Sequence, residues 1–162
     1  ASLFKGDLQL GSSCGLDPID NHQDNDPDDC DLIHDLHSLV ANGGGKVQFY
    51  GEISDGGQYS YVTGNANDVV LVKIDRDALD FAGNATVLGD SLNIKTEGGD
   101  DRITTITNYD NNSETPNQII LQNVTIDSGT GNDTITTTGE GSYKILAGDG
   151  NDTIYLDNIL FR

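Results

Sequence analysis

Ile126, Ile135, Ile145 and Ile154 follow one another at steps of 9, 10 and 9 residues. Val124-Thr125-Ile126 and Tyr143-Lys144-Ile145 alternate between apolar and polar, the period-two signature of a strand with one face buried. Glycine-rich turn signals separate the isoleucines at Gly129–Gly131, Gly139–Gly141 and Gly148–Gly150. From Lys46 onward the pattern therefore predicts short strands joined by tight turns, with one inward isoleucine per strand near the C-terminus. The first 45 residues read differently. Ser2–Leu10 alternates loosely enough for a strand, and Gly11–Asp29 is a polar loop holding Pro18 and Pro27. Leu32, Ile33, Leu36, Leu39 and Val40 then make one apolar helical stripe, with Asp28 or Asp29 as cap and Gly43–Gly45 as stop. The expected organisation is residues 1–45 as strand, acidic loop and capping helix, and residues 46–162 as a repetitive β unit.

The repeat has a recognisable phrase. Gly129-Thr-Gly131-Asn-Asp133-Thr-Ile135 returns 19 residues later as Gly148-Asp-Gly150-Asn-Asp152-Thr-Ile154. That period is too long for a heptad and too short for a domain, but it suits one turn of a solenoid that buries its apolar face only by stacking on its neighbours. The intervening half-turn, Gly139-Glu-Gly141-Ser-Tyr143-Lys-Ile145, lacks the Asp, so the acidic turns lie on one side only. Weaker copies stand upstream at Gly64-Asn-Ala-Asn67-Asp68-Val-Val70 and Gly98-Gly99-Asp100-Asp101-Arg-Ile103. Gly83-Asn-Ala-Thr reads as a turn that has lost its Asp, and Asn108–Asn117 as an inserted polar loop. The fold class expected is mainly β, a right-handed parallel β-solenoid or β-roll with one capping α-helix near the N-terminus.

Composition agrees. Among 162 residues the apolar fraction is only 35%, Trp and Met are absent and Gly numbers 20. A thin core one or two residues deep needs no more. The net charge is −19, and nearly all the acid is Asp, a residue of turns and of short Ca²⁺ loops. Such charge makes nucleic acid and anionic membranes poor partners. Disorder is the bland alternative for an acidic chain, but periodic Ile, Val and Leu argue against it. No apolar run approaches 18 residues, so no helical membrane span is expected. Cys14 and Cys30 are free thiols in a reducing compartment. A start without Met fits removal of a signal peptide, and export allows a Cys14–Cys30 disulfide.

At Gly-x-Gly-Asn-Asp-x-Ile the chain resembles the RTX, or haemolysin-type, calcium-binding repeats of secreted bacterial proteins. Its 19-residue period is similar to the one-sided solenoids of calcium-dependent ice-binding adhesin regions. The resemblance covers about a third of the chain, and residues 1–45 have no part in it. It implies Ca²⁺ held by backbone carbonyls and Asp carboxylates of successive turns. The ligands so implied are Asp133 and Asp152 with carbonyls of Gly129, Gly131, Gly148 and Gly150, followed by Asp101 with Gly99, then Asp68. Two departures stand out: the turn of Asp68 has one glycine, and Asp100 takes the place of Asn132 and Asn151.

Other constellations carry less. Asp24, Asp26, Asp28 and Asp35 fall at places 1, 3, 5 and 12 of an EF-hand-like loop, but Asp29 stands where that loop needs Gly. His34 and His37 have no third ligand and read as surface residues. Asn84, Asn111, Asn123, Asn132 and Asn151 each open an Asn-x-Ser/Thr triplet. No nucleophile elbow, phosphate loop or Ser-His-Asp grouping is present, so no enzymatic activity is expected. Outward columns Arg102-Thr134-Thr153 and Thr104-Thr136-Tyr155 break the threonine grid that ice binding needs.

The chain opens and closes on apolar strand-like segments, Ser2–Leu10 and Thr153–Arg162. Two such ends that fit each other make a head-to-tail contact that does not close on itself. The expectation is a secreted, calcium-stabilised structural protein at the cell surface or outside the cell, self-associating into a filament, surface layer or matrix. The rivals are an adhesin module for ice or glycan and a non-catalytic RTX module of a larger secreted enzyme.

Overall fold

Strand-forming alternation in this sequence is resolved into two sheets of parallel strands. The structure, a computed structural model, describes residues 7–11, 32–34, 36–41, 44–53, 57–77, 88–110, 120–139 and 142–157. Twelve strands are found there: β1 (Leu8–Leu10), β2 (Ile33–His34), β3 (Ser38–Val40), β4 (Val47–Ile53), β5 (Gln58–Val62), β6 (Val69–Asp77), β7 (Leu88–Lys95), β8 (Arg102–Asp110), β9 (Ile120–Asp127), β10 (Thr134–Thr138), β11 (Ser142–Leu146) and β12 (Thr153–Asp157). From β4 onward, successive strands alternate between the sheets. One sheet has the order β1-β4-β6-β8-β10-β12 with β2 also on β4; the other runs β11-β9-β7-β5-β3. Every pairing among the described strands is parallel, and apart from β1 on β4 each paired strand lies two elements away in the chain, with a strand of the opposite sheet between.

The register aligns like residues into columns. Phe49, Val70, Ile103, Ile135 and Ile154 share one, through β4, β6, β8, β10 and β12. Tyr61, Ile94, Ile126 and Ile145 share another across β5, β7, β9 and β11. Phe49, Val70, Ile103, Ile126 and Ile135 have no exposed surface at all, and both columns belong to one apolar core. The Phe49 and Tyr61 rings meet at 4.6 Å between their centres. Slipping any strand by one residue would turn its core side chains to water, at about 1.5–3 kcal/mol for each buried Ile, Leu or Phe. The inward places of Ile126, Ile135 and Ile145 follow the sequence pattern. Ile154 is aligned with them but remains 43% exposed, because β12 has a strand on one side only among the described residues.

The expected capping helix is not what residues 32–40 form. Ile33–His34 and Ser38–Val40 are strands, paired with β4 and β5 respectively, and no described residue is helical. Leu39 is buried, Ile33 and Leu36 pack on the core, and the Leu36 carbonyl accepts the Tyr61 hydroxyl at 2.6 Å. The apolar spacing that suits a helical stripe also suits two short strands divided by a bend. A nine-residue helix is marginal alone, whereas β4 and β5 supply a ready hydrogen-bonding edge.

The turn expected at Gly83 lies outside the described residues, and β6 pairs directly with β8. The polar tract at 108–117 begins as strand, because Asn108, Tyr109 and Asp110 extend β8 along Asp75, Arg76 and Asp77. The expected Cys14–Cys30 bridge, the EF-hand-like Asp24, Asp26, Asp28 and Asp35, and Asn84 and Asn111 lie outside the described residues. His34 and His37 are exposed as expected: His34 lies 3.4 Å from Glu52, and His37 stacks on Tyr59.

Candidate functional site

Four completely described turns carry the chain from the second sheet back to the first, and each is six residues long. They read Thr63-Gly-Asn-Ala-Asn-Asp68, Thr96-Glu-Gly-Gly-Asp-Asp101, Ser128-Gly-Thr-Gly-Asn-Asp133 and Ala147-Gly-Asp-Gly-Asn-Asp152. Strand register stacks them residue on residue. Gly98, Thr130 and Asp149 are bridged in sequence along the stack. The Thr130 amide donates to the Glu97 carbonyl at 2.7 Å, and the Gly131 amide to the Asp149 carbonyl at 2.9 Å.

Stacking explains the glycines. Gly129 and Gly148 hold φ at +76° and +75°, in the left-handed region that Cβ disfavours. A Cβ on Gly129 would stand 1.5 Å from the Glu97 carbonyl oxygen, and one on Gly148 would stand 1.9 Å from that of Gly129. Glu97 occupies the same place one turn earlier and adopts φ +57° with a side chain attached. In the parallel column, the Gly99 carbonyl lies against Gly131 and the Gly131 carbonyl against Gly150. These carbonyls therefore point along the stack at the next turn's Cα.

The Asp residues form a ladder of their own. Oδ1 of Asp68 accepts the Val47 amide, Oδ1 of Asp101 the Asp68 amide, Oδ1 of Asp133 the Asp101 amide, and Oδ1 of Asp152 the Asp133 amide, all at 2.8–2.9 Å. Each carboxylate thus ties its turn to the preceding one. The residues just before them form a second ladder in the opposite sense. The Asp100 amide donates to Asn67 Oδ1, the Asn132 amide to Asp100 Oδ1, and the Asn151 amide to Asn132 Oδ1, at 2.8–2.9 Å. Asp100 can stand where the other turns have Asn because this place needs only an acceptor oxygen.

Burial then sets the electrostatics. Asp68, Asp101 and Asp133 are at most 2% exposed, and Asp152 is half-buried. Desolvation pushes all three buried carboxyls above the ordinary carboxylate range, Asp101 to about 8. The ladder amides oppose that rise, while neighbouring carboxylates add to it: Asp68 and Asp133 at Asp101, Asp152 and Asp100 at Asp133. Thr63, Thr96 and Ser128, each five residues before its Asp, lower the pKa of Asp68, Asp101 and Asp133 respectively. Only Thr63 completes a full bond, its hydroxyl donating to Asp68 Oδ2 at 2.7 Å. Thr96 points instead at the Ser128 carbonyl, 3.3 Å away, and Ser128 at the Ala147 carbonyl, 3.1 Å away. Oδ2 of Asp101 and Oδ2 of Asp133 are left buried with no hydrogen-bond partner.

The structure thus brings Asp68, Asp101, Asp133 and Asp152 into one column and places Gly99, Gly129, Gly131, Gly148 and Gly150 in the turns beside them. Among the described residues, no group of three or more His, Cys, Asp or Glu side chains converges as a metal site. The sequence reading missed the Thr63-Thr96-Ser128 column and the bonding role of Asn67, Asp100, Asn132 and Asn151. The signal for the first was a hydroxyl residue five places ahead of each Asp, replaced by Ala147 only in the last turn.

No protein-family model matches the chain, and neither the curated proteins nor the solved structures compared with it include a similar one.

Proposed function

We propose that the chain is a right-handed parallel β-solenoid stabilised by Ca²⁺, acting as a secreted structural protein. In this reading it is a subunit of an extracellular filament, surface layer or matrix, self-associating through the ends of the stack, with no catalytic role. The alternation of strands between two parallel sheets supports the solenoid. The observation that carries the calcium reading is the pair of buried, unpartnered oxygens, Oδ2 of Asp101 and Oδ2 of Asp133, in a column of four aspartates. Carboxylates stacked at the strand spacing of about 5 Å repel one another unless a proton or a cation lies among them. Ca²⁺ prefers hard, anionic and carbonyl oxygens. Asp68, Asp101, Asp133 and Asp152 would hold it, with carbonyls of Gly99, Gly129, Gly131, Gly148 and Gly150 as further donors.

Bound Ca²⁺ supplies neutralisation of that column and links folding to the calcium outside the cell. At a hundredfold excess over its Kd it adds about 2.7 kcal/mol of stability, or roughly 5–10 °C of Tm for a domain of this size. Removal of Ca²⁺ with EGTA is expected to lower Tm by that amount and re-addition to restore it, with calorimetric titration showing the binding heat. Melting that ignores both additions refutes the calcium reading.

A further inference from the structure

We propose that the β11/β12 edge of one molecule seats the β1/β2/β3 edge of a second copy, in the same parallel register that stacks the turns within the chain. The inference rests on the solenoid reading, and it deepens self-association to a stated contact.

Among the described strands, β11 and β12 are paired on one side only, and so are β1, β2 and β3 at the opposite end. Edge strands present unpaired amide and carbonyl groups to another chain. Among the described residues, four of the five exposed large apolar side chains belong to the first edge: Leu146, Ile154, Tyr155 and Leu156. The fifth, Val40, belongs to the other.

The columns say how these edges meet. Val40 leads through Val62, Lys95 and Asp127 to Leu146, so a copy added in register lays Val40 on Leu146. Leu10 leads through Phe49, Val70, Ile103 and Ile135 to Ile154, which lays Leu10 on Ile154. Ile33 leads through Gly51 and the strands below it to Leu156. The Leu10 column is apolar throughout and continues across the joint without a break, and at the other two joints the facing side chains, Val40 on Leu146 and Ile33 on Leu156, are both apolar. The contact also covers Ile154 and Leu156, whose counterparts Ile135 and Thr137 inside the stack are fully buried.

The polar ladder continues too. Asp7 already behaves as a member of it, its Oδ1 accepting the Lys46 amide at 3.0 Å. In register, Asp7 of the added copy follows Asn151, whose amide donates to Asn132 Oδ1 at 2.9 Å and whose own Oδ1 is then placed to accept the Asp7 amide. A meeting of two like edges would set strands antiparallel and bring each molecule's Asp149 and Asp152 together. The head-to-tail contact avoids this and does not close, so it generates a filament. Each copy carries a net charge of −19, so association requires screening by salt or by Ca²⁺.

The test places a photo-crosslinker by the substitution Leu146→p-benzoylphenylalanine and mixes the protein with an isotope-labelled second copy in Ca²⁺ and moderate salt. Crosslinks between the labelled and unlabelled copies are expected at residues 38–40. Sedimentation velocity is expected to show polymers that Leu156→Lys weakens by about tenfold or more in concentration, a loss typical of a charge placed in an apolar contact. Both variants change exposed edge side chains, and Tm checks that they fold. Crosslinks that map to Leu146 of the other copy or elsewhere overturn the contact, as does a wild-type protein that stays monomeric up to about 1 mM, where even weak contacts form. Calcium-dependent Tm is read on the same samples. Monomers that still melt higher with Ca²⁺ refute only the contact, and in-register crosslinks with calcium-blind melting refute only the calcium reading.

Discussion

Replacing Asp101 by Asn separates the two jobs of that carboxylate. Oδ1 accepts the Asp68 amide at 2.8 Å, and Asn keeps this acceptor. Oδ2 is buried without a partner, and Asn puts there an amide donor within reach of the Thr96 hydroxyl. In the folded chain the Asp101 pKa is raised from 3.8 to about 8, chiefly by burial. The sign follows from linkage. Below about pH 4 the group is protonated in both states and costs nothing. From there to about pH 8 the unfolded chain ionises and the folded one resists, so stability falls as pH rises, by about 1.4 kcal/mol per unit. Over that window the loss approaches roughly 5 kcal/mol, an upper figure because the neighbouring carboxyls titrate together. Asn is neutral throughout. In EGTA, wild-type Tm is expected to fall between pH 5 and 8.5 while Asp101→Asn stays nearly level and melts several degrees higher at the alkaline end, at about 2–4 °C per kcal/mol. With Ca²⁺ the wild type recovers and the variant gains much less. Circular-dichroism melts over this pH range decide the matter. A wild-type Tm in EGTA that is flat with pH, or an Asp101→Asn variant as unstable at pH 8 as Asp101→Ala, refutes the reasoning.

Two further substitutions address the stack itself. Gly129→Ala forces a Cβ against the Glu97 carbonyl at positive φ and should destabilise by about 3 kcal/mol or more; Glu97→Gly at the equivalent place should raise Tm slightly, by about 1 kcal/mol or less of relieved strain. Urea melts of both report the difference, and equal effects of the same sign refute the left-handed place as their cause. Thr105→Val replaces a buried hydroxyl that has no hydrogen-bond partner with an isosteric methyl and should stabilise by about 1–2 kcal/mol. A loss of stability in the same denaturation assay would mean that the Thr105 hydroxyl is satisfied in solution.

The legible part of this protein was its local repetition. Ile126, Ile135 and Ile145 were placed inward by spacing alone, since alternation of period two and a glycine turn leave a strand no other way to bury its isoleucine. The column of Asp101, Asp133 and Asp152 was legible for the same reason, even where an inserted loop stretches the 19-residue period to 32 residues, whereas the direct step from Asp68 to Asp101 was not, because a further turn at Gly83 was read between them. Residues 32–40 were misread because one apolar spacing satisfies both a helix and a bent pair of strands. Only the waiting edges of β4 and β5 decide between them.

The sequence by itself determined strands, turns and which carboxylates share a column, because those depend on backbone preference and near-neighbour pattern. The tertiary structure decided what each oxygen does. Asp and Asn at adjacent places look like two polar turn residues, yet stacking makes them opposed ladders, one taking the amide of the turn before and one that of the turn after. Stacking also turns the glycine carbonyls toward the next turn and leaves Oδ2 of Asp101 and Asp133 unpartnered. Each of these partners lies 19 to 33 residues away along the chain. Hydrogen-bond satisfaction between turns is a property of the register between strands, and register exists only once the sheets are formed.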